Sequence, residues 1–235
     1  MNARILILIA LVVTATPLSA QQEGSVWYFG KNAGLDFKIG NPPPTAIAGN
    51  PNKMDTSEGC SVISDLTGAV RFYTDGNKVW DRRNQVMQNG SGLQGDSSAT
   101  QSALIVPWPG DCTRYFIFTV GSAEQGQKGD PHGLFYSVVD MNLNGGLGGL
   151  VPNLKNTPLQ PRVSEKLTAV RDAGPALGYW VVSHGFSSTS ATAPEATRFY
   201  AYHITTSGLS PTPVTSSVGS AHFRSDYGNA QGQMK

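Results

Sequence analysis

Residues 115–121 read Tyr115-Phe116-Ile117-Phe118-Thr119-Val120-Gly121, and residues 179–185 read Tyr179-Trp180-Val181-Val182-Ser183-His184-Gly185. The two runs lie 64 residues apart. Held at that offset without gaps, Ala103-Leu104-Ile105-Val106 falls on Leu167-Thr168-Ala169-Val170. Downstream, Phe135-Tyr136-Ser137-Val138 falls on Phe199-Tyr200-Ala201-Tyr202. A shorter third version precedes them, Val70-Arg71-Phe72-Tyr73-Thr74-Asp75-Gly76, with its own first strand at Cys60 to Ser64 and the turn Asp65-Leu66-Thr67-Gly68. Strand-sized blocks returning in one register mark an internal repeat, and a repeat decides the fold before any single motif does.

The blocks are β-branched and aromatic and are bounded by Gly, Pro, Asn or Asp, as strands are. The turns Asp75-Gly76-Asn77, Pro109-Gly110-Asp111 and Ser207-Gly208 each offer a residue tolerant of positive φ. No segment after residue 20 keeps an apolar 3.6-residue period over three turns, so an all-β chain with very little helix is predicted. Each repeat reads as an antiparallel sheet of four strands. In the second copy these are Ala103 to Val106, Tyr115 to Val120, Leu134 to Met141 and an outer strand near Leu150 to Lys155. Such a sheet cannot bury both faces alone, so consecutive sheets must stack, which is the layout of β-propeller blades. The predicted fold is a partial β-propeller of three blades over about 34–98, 99–164 and 165–225, within one domain covering 21–235. A β-sandwich is the alternative. Trp27-Tyr28-Phe29-Gly30 reads as one extra strand ahead of the first blade. Three blades close a ring only with severe splay, so the expectation is the N-terminal part of a longer propeller, with further domains beyond Lys235, or a partner over the open end.

Composition narrows the setting. The chain is 39% hydrophobic, enough for a packed core, and only 14% charged, against about a quarter in ordinary soluble domains. With 17 Lys and Arg against 16 Asp and Glu, the net charge of +1 excludes a basic nucleic-acid groove as the binding principle. The 27 glycines and 15 prolines argue against a helical bundle. Residues 1–20 have the form of a secretory signal peptide: Arg4, the apolar run Ile5 to Val13, then Leu18-Ser19-Ala20. The apolar run is well short of the roughly 20 residues that span a bilayer. Export, to a secreted or cell-surface location, follows. Cys60 and Cys112 either pair or stand as independent thiols, and neither belongs to a zinc-ligand set.

Several of these stretches resemble the N-terminal β-propeller-like region of large secreted Bacteroidetes proteins. The resemblance rests on Trp27-Tyr28-Phe29-Gly30 with Ala33-Gly34-Leu35-Asp36-Phe37, Glu58-Gly59-Cys60 with Ile63-Ser64-Asp65, and Phe72-Tyr73-Thr74-Asp75-Gly76 with Val79-Trp80. It continues through Ser97-Ser98 with Thr100-Gln101-Ser102-Ala103, Tyr136-Ser137-Val138-Val139-Asp140-Met141, Glu165-Lys166-Leu167-Thr168-Ala169-Val170, and Tyr179-Trp180-Val181-Val182 with His184-Gly185. Those proteins often end in a gliding-motility-associated or type IX secretion sorting domain, with PKD domains between. The resemblance implies an architecture and an extracellular setting rather than a biochemical activity.

Candidate sites are few. Asp75, Trp80 and Asp81 could form a sugar platform, an aromatic face flanked by carboxylates; the competing reading makes Asp75 a turn cap and packs Trp80 between blades. His184 closes an apolar strand and is a candidate ligand contact, while His222 lies in a polar tail. Asp140, Asn142 and Asn144 space their oxygens like the first half of a calcium loop, yet Gly148 and Val151 stand where later ligands belong, which favours a glycine-rich hairpin. Gly95-Asp96-Ser97-Ser98 resembles an esterase nucleophile turn, without the α/β sheet or the downstream Asp-x-x-His that it needs. Glu165-Lys166 suggests an ion pair at a strand start. The leading expectation is a non-enzymatic, exported module for adhesion to a protein or glycan at the cell surface, through loops such as Gly121 to Gly133 and Phe186 to Arg198. A propeller-type carbohydrate-active enzyme is the rival, and it requires a carboxylate pair beside an exposed Trp80 or Trp180. A nonfunctional fragment of a larger secreted protein is the third reading.

Overall fold

A computed structural model describes residues 22–38, 43–123, 133–174, 177–224 and 227–234. The expected signal peptide and most of the Gly121–Gly133 loop lie outside them. The protein is all-β, with 45% of residues in strands and 7% in helical turns, so helices contribute nothing to the layering. No helix among the described residues is long and apolar enough to cross a membrane.

The strands form consecutive antiparallel sheets. The first has β1 (Val26–Phe29), β2 (Ala33–Asp36) and β3 (Thr45–Ala46) in that order. The first blade is β4 (Ser61–Ser64), β5 (Val70–Thr74), β6 (Lys78–Asp81) and β7 (Val86–Ser91). The second is β8 (Ala103–Pro107), β9 (Arg114–Val120) and β10 (Leu134–Asp140), edged by β11 (Gly149–Leu150) and β12 (Thr157–Gln160). The third is β13 (Val163–Arg171), β14 (Tyr179–Gly185) and β15 (Arg198–Thr205), edged by β16 (Gly208–Leu209) and β17 (Val214–Ser217). One parallel bridge, Gly149 to Gln88, joins the outer rims of the first and second blades, so these two wrap almost into a flattened barrel.

The repeat is physical. Ala103 pairs with Thr119 and Leu104 with Phe118; 64 residues on, Leu167 pairs with Ser183 and Thr168 with Val182. Alternate residues of each second strand face opposite neighbours. Tyr115 and Ile117 of β9 join Ile63, Phe72, Val79 and Met87 in a core between the first and second blades. Phe116, Phe118 and Val120 face the other way, into a core with Val163, Leu167, Val181, Tyr200, Tyr202 and Ile204 of the third. Burial on both faces explains why β9 is an unbroken apolar run rather than an alternating one. A third, smaller core of Met54, Tyr73 and Trp80, with Tyr28 and Val62 packed against it, lies between the first blade and the β1–β3 sheet.

Four expectations need correction. Trp27–Phe29 is not a lone strand: it heads a sheet of its own, and Ala33–Asp36 and Thr45–Ala46 belong to that sheet rather than to the first blade. The outer strand near Leu150–Lys155 is split in two, because Pro152 opens a 3-10 turn at Pro152–Leu154. The third strands do not keep the 64-residue offset. Phe135 lies opposite Thr119, whereas Tyr200, not Phe199, lies opposite Ser183. The connection in the third blade is one residue longer, and a one-residue slip exchanges the two faces of a strand. Glu165 and Lys166 are not an ion pair, as their contacts below show.

Candidate functional site

Asp75 and Asp81 sit at opposite ends of β6 and serve its turns. Asp75 Oδ1 accepts from the N–H groups of Asn77 and Lys78, each at 2.8 Å. Asp81 Oδ1 accepts from Arg83 (2.8 Å) and Gln85 (3.0 Å). A carboxylate closing the backbone two residues on is a common turn device. Trp80 is 6% exposed and lies flat on Tyr73, with ring centroids 5.3 Å apart. The Tyr73 hydroxyl accepts from the Lys53 N–H and donates to Asn84. Burial pushes the Tyr73 phenol up to about 12, so it stays a neutral donor. The structure thus places Asp75, Trp80 and Asp81 on one strand and its turns without making a platform of them.

His184 is buried, and the structure supplies a neighbour that spacing does not suggest. The His222 ring lies 3.9 Å from it, centroid to centroid, while Phe199 meets His184 edge-on at 4.5 Å. His184 Nδ1 is 2.7 Å from the Gly185 carbonyl oxygen. Burial lowers the pKa of His184; burial, followed by the proximity of His184 and Lys166, lowers that of His222 to about 4. The pair therefore packs as neutral rings, pinning the segment around His222 onto the outward face of the third blade. Its backbone holds there as well: Ser187 N–H donates to the His222 carbonyl, and His222 N–H to the Ala196 carbonyl.

Beside this pair, β13 bulges between Val163 and Leu167. A bulge re-aims side chains, and here it turns Glu165 into the seam between the second and third blades. The fully buried carboxylate accepts from Thr100 N–H (2.8 Å), Thr100 Oγ1 (2.7 Å) and Ala123 N–H (2.7 Å). Lys166 Nζ instead donates to the Asn229 carbonyl. Gln101 Oε1 accepts from both Leu167 N–H and Met234 N–H, tying the same seam to the last described residues. These polar groups work as a structural latch.

The glycine-rich hairpin closes on itself. Asp140 Oδ1 accepts from Asn142 N–H at 2.8 Å, the Asn142 amide donates to Thr113 Oγ1, and Asn144, Gly145 and Gly146 all take positive φ. Among the described residues no group of three His, Cys, Asp or Glu side chains is placed to hold a metal ion. Asp96 Oδ1 accepts from Ser98 N–H, which makes Gly95–Ser98 a polar turn. Cys60 and Cys112 are free thiols. Trp180 is part-buried and lies flat on His203, whose Nε2 is 2.8 Å from Asp172. A concavity of about 340 Å³ between Trp108 and Tyr179 has its aromatic wall already used: Trp108 stacks on Phe116, and the Arg114 guanidinium covers it at 4.0 Å.

The open feature lies elsewhere, along β1. A groove of about 550 Å³ runs between β1 and the start of β4, lined chiefly by Val26, Trp27, Tyr28, Phe29, Cys60 and Val62. Trp27 is 54% exposed, Phe29 39% and Phe37 38%, and Trp27 packs against Phe37 at 4.8 Å. Single exposed apolar residues are ordinary; here three part-exposed aromatics gather on one sheet face. The groove was absent from the sequence reading, although a signal existed. Three consecutive aromatics in a strand put rings on both faces, and only one face, that of Tyr28, has the first blade to pack against.

No protein-family model, curated protein or solved structure matches the chain.

Proposed function

We propose that the chain is an exported binding module, secreted or held at a cell surface, whose stacked sheets present a contact surface to a protein or glycan. The reading extends the likeness to secreted Bacteroidetes proteins noted in the sequence. The observation that carries it is the aromatic groove beside β1, where Trp27 and Phe29 meet solvent next to apolar Val26 and Val62, with exposed Phe37 packed against Trp27. The carboxylates that a glycosidase would require at the sequence-derived site are engaged by turn N–H groups, and Trp80 is enclosed. A rigid scaffold with a pre-formed cleft binds without losing entropy to ordering, which suits adhesion. The test compares the exported chain with its Trp27→Ala variant on a glycan array and on immobilised cell-surface protein. Binding in one of the two formats, lost in the variant at unchanged melting temperature, is the expected result. Polysaccharide hydrolysis that disappears when a single Asp or Glu is removed would overturn the reading.

A further inference from the structure

The chain contains two Asn-Gly pairs, Asn89-Gly90 and Asn144-Gly145. An asparagine before glycine is open to ring closure on its own backbone, because no Cβ hinders the approach of the glycine nitrogen to the side-chain amide. Both asparagines are exposed, and both take positive φ, 58° at Asn89 and 51° at Asn144. Local sequence and backbone region are thus alike. What differs is how each pair is held.

Asn89 is anchored within β7. Its Nδ2 donates to the Leu150 carbonyl and its Oδ1 accepts from Lys155 Nζ, each at 3.3 Å. Gly90 is buried, and a Cβ there would come within 2.8 Å of the Met87 carbonyl oxygen and 2.9 Å of that of Val79. Bringing the Gly90 nitrogen onto the Asn89 amide therefore requires breaking both anchors and lifting β7 from its neighbours.

Asn144 lies in the connection between β10 and β11. Leu143 to Gly146 make a tight turn, closed by Gly146 N–H on the Leu143 carbonyl at 3.1 Å, with Asn144 and Gly145 as its central residues. Gly145 is exposed, and nothing lies within 4 Å of the place a Cβ would take. Among the described residues the Asn144 side-chain amide makes no hydrogen bond, and the Gly145 N–H donates to no carbonyl. Such a turn opens at the cost of its own few backbone bonds, without disturbing a core.

We propose that Asn144 is a self-modification site of this chain. The Gly145 nitrogen attacks Asn144 Cγ, a Cγ–N bond replaces the bond to the side-chain nitrogen, and that nitrogen leaves as ammonia with the amide proton. Water then opens the succinimide. Cleavage of the new Cγ–N bond leaves aspartate, and cleavage of the original peptide bond leaves isoaspartate. Either product carries a negative charge that asparagine lacks. Isoaspartate also adds a methylene to the backbone just ahead of two rim contacts between the first and second blades. These are the Gly146 carbonyl, which accepts from Arg82 Nη1 at 2.6 Å, and Gly149, which bridges to Gln88. The modification acidifies that rim and loosens it.

The test holds the full chain in mildly alkaline buffer and follows both pairs by peptide mass spectrometry, with electron-transfer fragmentation to tell isoaspartate from aspartate. Asn144 should convert at least about tenfold faster than Asn89, whose two extra hydrogen bonds must break first. In concentrated urea the two rates should converge. Lys155→Ala removes one anchor and should speed conversion at Asn89 about fivefold without changing the Asn144 rate. The acidic species, separated by ion exchange, should show about tenfold faster hydrogen exchange in peptides covering residues 86–91 and 147–150. Equal rates in the folded chain, or faster conversion at Asn89, would overturn the site. A ratio that persists in urea would overturn its structural cause, and unchanged exchange in the acidic species would overturn the effect on the rim.

Discussion

The seam between the second and third blades and the seam between the first blade and the β1–β3 sheet are built from the same kinds of residues but are finished differently. The former joins two sheets face to face, and it encloses twelve buried apolar residues along with the Glu165 latch. The latter encloses three, Met54, Tyr73 and Trp80, and leaves a groove between β1 and the start of β4. Aromatic content does not separate them, since Trp27, Tyr28 and Phe29 are as apolar as Phe116 to Phe118. What separates them is what covers the second face: Phe116 and Phe118 have a blade against them, whereas among the described residues Trp27 and Phe29 meet solvent.

The largest consequence is an asymmetry in stability. Phe118 is fully buried between blades and close to Phe116 and Tyr136, so Phe118→Ala removes a whole ring and leaves a cavity. We expect a loss of about 4 kcal/mol in urea unfolding. Trp27→Ala, a larger truncation, should cost less than about 1 kcal/mol, because the indole already meets water. Equal losses for the two variants would mean that the groove is closed in solution.

An effect of middle size distinguishes the latched end of the third blade. Its two histidines are buried neutral, with folded pKa values below the ordinary 6.5. The unfolded chain binds protons that the folded chain refuses, so stability is full above about pH 6.5 and falls as the pH drops toward the folded value of about 4 for His222. The loss across that window should be about 3 kcal/mol from His222 alone. His222→Phe, which keeps a ring against His184 and removes one titrating group, should flatten the slope of unfolding free energy against pH in that interval. A slope unchanged in the variant would place the acid sensitivity elsewhere.

How much of this was legible in the sequence follows from what each signal encodes. The second strands were readable because they are apolar runs, Tyr115–Val120 buried on both faces and Tyr179–Val182 part-buried on one, and the first strands followed at the same offset. The third strands slipped by one residue for the same reason. Phe135-Tyr136 and Phe199-Tyr200 carry apolar rings toward both faces, so the hydrophobic pattern tolerates either register, and only pairing with Thr119 and Ser183 decides it. Strands β2 and β3 are four and two residues long, too short for any periodicity to announce them. The contact between His184 and His222 was invisible for another cause. Local spacing carries nothing about a tail that returns across a sheet face.

The finest comparison sets three equivalent hydroxyls against one another. Thr74, Thr119 and Ser183 each lie opposite the first residue of the corresponding inner-strand block, Ser61, Ala103 and Leu167, and each is buried. Thr74 Oγ1 donates to the Lys78 carbonyl at 2.7 Å and accepts from Gly76 N–H at 3.0 Å, because its hairpin turns back at once. Longer connections follow Thr119 and Ser183, and among the described residues neither hydroxyl is hydrogen-bonded. A buried hydroxyl without a partner costs more than the methyl group that replaces it, whereas a satisfied one is lost with its bonds. Thr119→Val and Ser183→Ala should therefore stabilise the fold by up to about 1 kcal/mol each, and Thr74→Val should destabilise it by about 1 kcal/mol. Melting curves of the three variants, recorded side by side, decide the matter through the sign of the shift. A loss at all three positions would show that a bound water or a residue of the connecting loops completes Thr119 and Ser183 as Lys78 completes Thr74.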